Sequence, residues 1–377
     1  MTQKFIESKL SKDFCKEEIK EARKLIQKSI PFTVVGMPGV GISTFLGYLV
    51  TRSFAHFIHV DLYKLVELKR VEFWRLFLKE LGETQAYSSD ELRVFGACHA
   101  KLSEIVKRKA KLVIVFNRFD QLKDEFTSSF FSNLRIIKEI NKVKLSMIFS
   151  SNKNLYDWSP QSFARSNLEM YSKSIYLKPY REKDFLEILR LFYPSIDTKD
   201  KQFGKAYYYS GGHLQLFHLV YRSNRIAKPM SDEFVKLQLK RIYEESFSLV
   251  QRKRLEKIAY KKPHGVLDEY LFNVGILKKS KGRVDFFSPL MSEYIRLNRQ
   301  PALAYKEKIL FAMLKKNFGK IVTKEEIFTT IWKDKSVEAT DWALNALVYR
   351  LRVKLKESSQ IFQIEGQKKI GYRLVKN

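Results

Sequence analysis

Residues 36–43 read Gly-Met-Pro-Gly-Val-Gly-Ile-Ser, and nothing else in the chain restricts its fold as tightly. Three glycines within six residues permit positive φ angles and let successive backbone N–H groups turn inward. The run before them, Pro31-Phe32-Thr33-Val34-Val35, is β-branched and apolar, and the segment after them, from Ser43 through Phe54, has helical composition. Strand, glycine-rich turn and helix in that order open an α/β unit. Further strand-like runs are His56–Val60, Leu112–Phe116, Leu145–Phe149 and Ser174–Leu177, separated by helical stretches. That alternation predicts an α/β fold: a mostly parallel sheet with helices on both faces, expected over residues 1–180.

The rest of the chain reads as four further segments. Residues 1–29 are expected to form a charged helix leading into the first strand. Residues 181–245 read as a helical lid closing on Gly211-Gly212. Residues 246–298 run helix, helix, hairpin turning at Lys281-Gly282, and short helix, a first winged-helix-like module. Its candidate recognition helix, Leu267–Val274, carries two acidic residues and suits packing better than DNA. Residues 299–377 carry three helices and a terminal β-hairpin, a second winged helix.

The loop compares with the phosphate-binding pattern G-x-x-x-x-G-K-[ST], whose N–H groups and following helix cradle phosphates. Gly36, Gly39 and Gly41 keep the backbone geometry, and Ser43, followed by Thr44, keeps the magnesium-ligand hydroxyl. Ile42 stands where the phosphate-binding lysine belongs. The strand Leu112–Phe116 ends in Asn117-Arg118, where acidic residues would hold magnesium and orient water. Phosphoryl transfer is largely positioning and electrostatics, so losing three charged positions argues against catalysis. Asp120, three residues past the magnesium position, is a poor substitute, and Asn152 at the next strand end reads as a turn residue or a polar phosphate sensor. Three readings of the loop remain: a tight packing turn, nucleotide binding without turnover, and hydrolysis. No cofactor is required, ATP or ADP with magnesium remains a weak candidate ligand, and no catalytic residue is assigned.

The loop, the run Val113–Leu122, Ile148–Asn152, Tyr208–Phe217 and Phe286–Ile295 together resemble P-loop ATPases of the AAA+ and STAND type over residues 25–295. The departures are Ile42, Asn117, Arg118 and Leu214, the last in place of a proline. The resemblance implies a P-loop sheet, a helical lid and a closing winged helix.

Residues 301–377 resemble the effector domain of OmpR/PhoB-type response regulators. The matching residues are Gly319, Val322, Thr323, Glu326, Trp332, Leu351, Arg352, Lys354, Leu355, Gly371, Tyr372 and Arg373; Lys369 replaces the usual wing glycine. The helix from Thr340 divides by its period into a core stripe, Leu344, Leu347, Val348, Leu351 and Leu355, and a polar stripe, Asn345, Tyr349, Arg352 and Lys356. The polar stripe is the candidate for base edges, with Arg350 and Lys354 on its flank and Lys368, Lys369 and Arg373 on the wing addressing phosphates. A stripe opposite leucines is also what a plain solvated helix face looks like. Trp332 and Trp342 are expected in the core. The resemblance further implies that Lys333–Thr340 approaches RNA polymerase.

Charge agrees with a polyanionic partner. The 377 residues carry 70 Lys and Arg against 41 Asp and Glu, a net charge of +29 spread along the chain. Two cysteines supply neither a disulfide framework nor zinc spacing, no metal site is expected, and no apolar run is long enough for a membrane span. A cytoplasmic protein is expected. These features favour a sequence-specific regulator of transcription that binds double-stranded DNA, with a hydrolysis-dead ATPase-like module as scaffold or sensor and a homo-oligomer as one option. The alternatives are a STAND-type, nucleotide-switched assembly protein and a replication or mobile-element DNA-binding factor.

Overall fold

The computed structural model describes residues 6–52, 54–83, 89–163, 168–223, 226–280, 282–298, 304–332, 340–358, 362–367 and 370–376. They form two compact units: residues 1–254 with 265–291, and residues 255–264 with 292–377.

The first unit is built on five parallel strands, β1 (Phe32–Gly36), β2 (His56–Asp61), β3 (Leu112–Asn117), β4 (Leu145–Ser151) and β5 (Ser174–Leu177), in the order β2-β3-β4-β1-β5. β1, β3 and β4 are buried along their whole length, which explains why they read as continuous apolar runs and not as alternating ones. The helices α1 (Lys16–Gln27), α2 (Ile42–Val50), α3 (Arg70–Glu80), α4 (Glu91–Arg108), α5 (Ser128–Glu139) and the short α6 (Pro160–Phe163) and α7 (Leu168–Tyr171) accompany the sheet. An aromatic cluster fills the core beside β3: Phe116 stacks on Phe149 at 5.5 Å, and Phe73, Trp74, Phe119 and Phe130 close around them. Because β1 lies between β4 and β5, the ends of β1, β3 and β4 converge on one crevice, where open α/β sheets bind ligands.

The expected amino-terminal helix is shorter than its composition suggests. Residues 6–9 form a single 3-10 turn and α1 starts only at Lys16, because Cys15 holds a left-handed φ of 44°. The break serves packing: Phe14 is fully buried against the rings of Tyr48 and Tyr180, and the Cys15 N–H donates to Asp184.

Beyond the sheet come α8 (Glu182–Phe192), α9 (Lys201–Ser210), α10 (Leu214–Arg222), α11 (Glu233–Ser246), α12 (Leu249–Ala259), α13 (Glu269–Asn273), the hairpin β6 (Leu277–Ser280) and β7 (Arg283–Phe286), and α14 (Pro289–Leu297). Gly211 and Gly212 both take positive φ between α9 and α10. A side chain at either would strike the carbonyl of Phe287 or Tyr180, so only glycine fits.

The carboxy-terminal unit contains α15 (Tyr305–Lys316), β8 (Val322–Thr323), α16 (Lys324–Trp332), α17 (Asp341–Ser358), β9 (Phe362–Gln367) and β10 (Gly371–Lys376). β10 is the middle strand, pairing antiparallel with both β8 and β9. Leu310, Leu314, Ile327, Leu344, Leu347, Val348, Leu351, Leu355, Ile364 and Leu374 make the core of this small winged helix. Among the described residues, no helix is long and apolar enough to cross a membrane.

Candidate functional site: phosphate loop and nucleic-acid interface

The glycine loop joins β1 to α2, with Gly39 at φ 81° and Gly41 at φ 116°. Its carbonyls are held by the helices beyond the sheet. The Pro38 carbonyl accepts from Gln238 Nε2 at 2.6 Å and from His213 Nε2 at 3.1 Å; the Gly39 carbonyl accepts from the Gln215 N–H, and the Gly41 carbonyl from the Tyr180 hydroxyl. His213 is fully buried and its Nδ1 accepts from the Leu216 N–H, which places the ring proton on Nε2. Burial pushes this imidazole down to about 4. What the loop retains for an anion is the amino-terminal end of α2 and its dipole.

The polar groups around that end are tied to one another. Asn117, 1% exposed, donates from Nδ2 to Ser43 Oγ at 3.2 Å and accepts from Ser150 Oγ at 3.1 Å. The hydroxyl that would ligate magnesium therefore already has an amide partner. Arg118, with φ 59°, donates from its N–H to Ser150 Oγ and sends its guanidinium to Asp61 Oδ2 at 2.7 Å, at the end of β2. Gly36 begins the turn, Ile42 opens α2 with an apolar side chain, and Thr44 is buried within it. Ile42, Ser43, Asn117, Arg118 and Ser150 border a cleft of about 640 Å³.

The cleft's charges are mixed. Asp120 Oδ2 accepts from the Asn152 N–H at 3.0 Å; Asn152 Nδ2 reaches Glu245 Oε2 at 3.3 Å; and Arg241 Nε donates to Glu245 at 3.1 Å. Burial, with the nearby Glu245 charge, outweighs the backbone hydrogen bonds and raises the Asp120 carboxyl to about 6. The structure brings together the loop residues, Asn117 and Arg118 as the spacing suggested, and adds His213, Gln215, Gln238 and Tyr180 as the groups that hold the loop. Their contribution had no local signal, since the contacts to the Pro38 carbonyl span 175 and 200 residues of chain. Among the described residues, no group of three or more potential metal ligands occurs.

In the carboxy-terminal unit, α17 buries Leu344, Leu347, Val348, Leu351 and Leu355 as its period requires. Asn345 and Tyr349 lie on the exposed side; Asn345 Oδ1 accepts from the Tyr372 hydroxyl at 2.6 Å, and Tyr349 is 68% exposed. The cations are partnered within the unit. Lys354 Nζ lies 2.6 Å and Arg350 Nε 3.6 Å from the buried carboxylate of Glu307. Arg352 Nε donates to the Ile364 carbonyl at 3.0 Å, and Arg373 pairs with Glu365 across β9 and β10. The side chain of Lys356, the wing residues Lys368 and Lys369, and residues 333–339 of the polymerase-facing loop lie outside the described residues.

One expectation is corrected. Trp332 does pack on the core beside Phe328, but Trp342 is 79% exposed. It precedes Leu351 by nine residues, two and a half helical turns, which puts it on the opposite side of α17 from the core.

Comparison with known proteins agrees with this division. Residues 298–374 match the family model described as transcriptional regulatory protein, C terminal. Residues 298–374 are thus an OmpR/PhoB-type winged-helix domain, carried on a chain whose other unit is a P-loop-type α/β fold. No curated protein matches the chain. Among solved structures, it is similar to a Walker-type ATPase of Pyrococcus abyssi at TM-score 0.48 and 13% identity, covering 76% of this chain and 96% of that one. It is also similar to the Orc1 protein of Aeropyrum pernix, solved in complex with DNA, at TM-score 0.46 and 11% identity, covering 100% of this chain and 91% of that one. A third is Cdc6p from Pyrobaculum aerophilum, at TM-score 0.43 and 11% identity, covering 78% and 95%. Likenesses of this size carry no argument about activity.

Proposed function

We propose that this chain is a sequence-specific, double-stranded DNA-binding regulator of transcription, whose P-loop module serves as a scaffold or sensor and does not turn nucleotide over. The observation that carries this reading is the regulatory-domain match over residues 298–374, together with the solvent-facing side of α17. In this reading residues 1–180 are the P-loop domain, 181–245 its lid, 246–298 an accessory module, and 299–377 the DNA-binding domain. Asn345, Tyr349, Arg350, Arg352, Lys354, Lys356, Lys368, Lys369 and Arg373 contact DNA. RNA polymerase approaches Lys333–Thr340, and two copies of the chain bind paired half-sites.

Support for an inactive nucleotide site comes from Ile42, from the hydrogen bond that Asn117 makes to Ser43, and from the turn of Arg118 toward Asp61. Ile42 leaves the first turn of α2 without the loop cation, and the cleft's Arg118 and Arg241 are paired with Asp61 and Glu245.

The test is duplex-DNA binding by the intact protein across a salt series with competitor DNA. A site retained against excess competitor supports the regulator. Uniform affinity that collapses with salt reduces the +29 charge to nonspecific attraction and overturns it.

A second reading, a nucleotide-switched assembly protein, draws support from the glycines that keep φ 81° and 116° beside the 640 Å³ cleft. It requires saturable ATP binding coupled to self-association.

A further inference from the structure

The exposed side of α17 is not centred where polarity alone places it. Trp342 at 79% exposure, Tyr349 at 68% and Val353 at 39% recur at i, i+7 and i+11, with Ala346 between them. At 100° per residue these positions lie within one narrow lengthwise ridge, directly opposite the Leu344–Leu355 core stripe. Asn345 and Arg352 flank the ridge on one side and Arg350 on the other. The centre line of the helix face is therefore aromatic and apolar.

Large aromatics left in water on a single ridge are unusual for a surface with no partner. The flanking cations make the point sharper. Arg350 and Lys354 share Glu307, and the Arg352 Nε is taken by the Ile364 carbonyl. Guanine is ordinarily read by a bidentate arginine or lysine, and two of the described cations of α17, Arg350 and Lys354, already face Glu307. The base-edge feature that an apolar ridge can recognise is the thymine methyl group, which only the major groove presents. Asn345 beside the ridge, its Oδ1 fixed by Tyr372, offers the amide that pairs with adenine. From Trp342 to Tyr349 the helix rises about 10 Å, close to three base-pair steps.

We propose that Trp342, with Tyr349, contacts thymine methyl groups in the major groove, so that this domain selects A·T pairs through apolar contact. The inference rests on the regulator reading above. The occupant of the ridge is duplex DNA, as the basic chain and the family of its carboxy-terminal domain favour.

The experiment uses the intact protein and a random duplex library to obtain the preferred site. Each thymine of that site is then replaced singly by deoxyuridine, which removes the methyl group and nothing else. Wild type should lose about fourfold in affinity at each contacted thymine, the effect of one buried methyl. Trp342→Ala should bind about tenfold more weakly, keep the salt slope, and no longer respond to deoxyuridine at its thymine. Trp342→Phe should retain the response. A selective site that is rich in G·C, or one at which deoxyuridine has no effect on wild type, overturns the thymine assignment and leaves the regulator reading standing. A library from which no site is enriched sinks the regulator reading itself. If Trp342→Ala abolishes self-association and leaves DNA affinity unchanged, the ridge is a protein contact and the assignment fails.

Discussion

Lys354 Nζ sits 2.6 Å from Glu307 Oε2, and the Glu307 side chain is only 2% exposed. The same carboxylate accepts from the Ala304 N–H at 2.7 Å and faces Arg350 at 3.6 Å. Glu307 therefore closes the first turn of α15 and anchors α17 at once. Two cations that the helical period assigns to DNA phosphates are partly neutralised before any DNA arrives.

Replacing Glu307 by Gln should separate these roles. The amide loses the charge-assisted bond to Lys354, so chemical denaturation of the intact protein should show the carboxy-terminal unit destabilised by about 1–3 kcal/mol. The freed Lys354 and Arg350 should steepen the salt dependence of nonspecific DNA binding. An unchanged slope would mean that both cations already reach phosphates with Glu307 in place.

Arg352→Ala and Lys354→Ala should differ in kind. Arg352 bridges α17 to the wing through the Ile364 carbonyl, and if it also reads a base its loss should cost about 1–3 kcal/mol at the preferred site and relax selectivity there. Lys354→Ala should affect all sequences alike, with a smaller change in salt slope than a free lysine would give, and should destabilise the unit by leaving Glu307 with only the Ala304 N–H and the more distant Arg350. Equal and negligible effects on binding from both would remove this face from the interface.

Ile42→Lys alone should not create an ATPase. Asn117 still occupies Ser43, and Arg118 still faces Asp61, so no carboxylate stands at the end of β3 to hold magnesium. Phosphate release assayed with ATP and magnesium should remain at background. Turnover by this single variant would show that the metal site lies elsewhere in the cleft.

His213 should make the first unit acid-sensitive. Its folded value of about 4 lies below the ordinary 6.5 because the ring is buried, so the unfolded chain takes up a proton first as the pH falls. Its contribution is complete above about pH 6.5 and is lost on the way down to pH 4, roughly 3 kcal/mol in all. Asp120 works in the opposite sense: raised by burial from 3.8 to about 6, it favours the folded state as the pH falls through 6. Comparing denaturation midpoints of wild type and His213→Asn at pH 7 and pH 4.5 isolates the histidine. The variant should lose less stability across that interval; equal losses would show that His213 takes up its proton as readily in the folded state as in the unfolded one.

How far the chain announced itself varies by element. β1, β3 and β4 were legible because strands buried on both faces read as apolar runs, β2 and β5 because their apolar residues alternate along the strand, and the glycine loop because a strand-to-helix turn at positive φ needs glycine. The core face of α17 followed from a 3.6-residue period alone. The amino-terminal helix was overestimated, since its composition carries no sign that Cys15 adopts a left-handed turn to bury Phe14 between Tyr48 and Tyr180.

Local sequence also determined what the phosphate loop lacks, because Ile42 carries no charge and neither Asn117 nor Arg118 carries a carboxylate. It could not determine who holds the loop or which cations are free. His213 and Gln238 meet Pro38 across 175 and 200 residues, and Lys354 meets Glu307 across 47. Period and composition describe a residue's own helix or strand. Hydrogen bonds and ion pairs between distant elements depend on how those elements pack, so the tertiary structure alone decided that Lys354 and Arg350 turn inward to Glu307 while Trp342 stands in solvent.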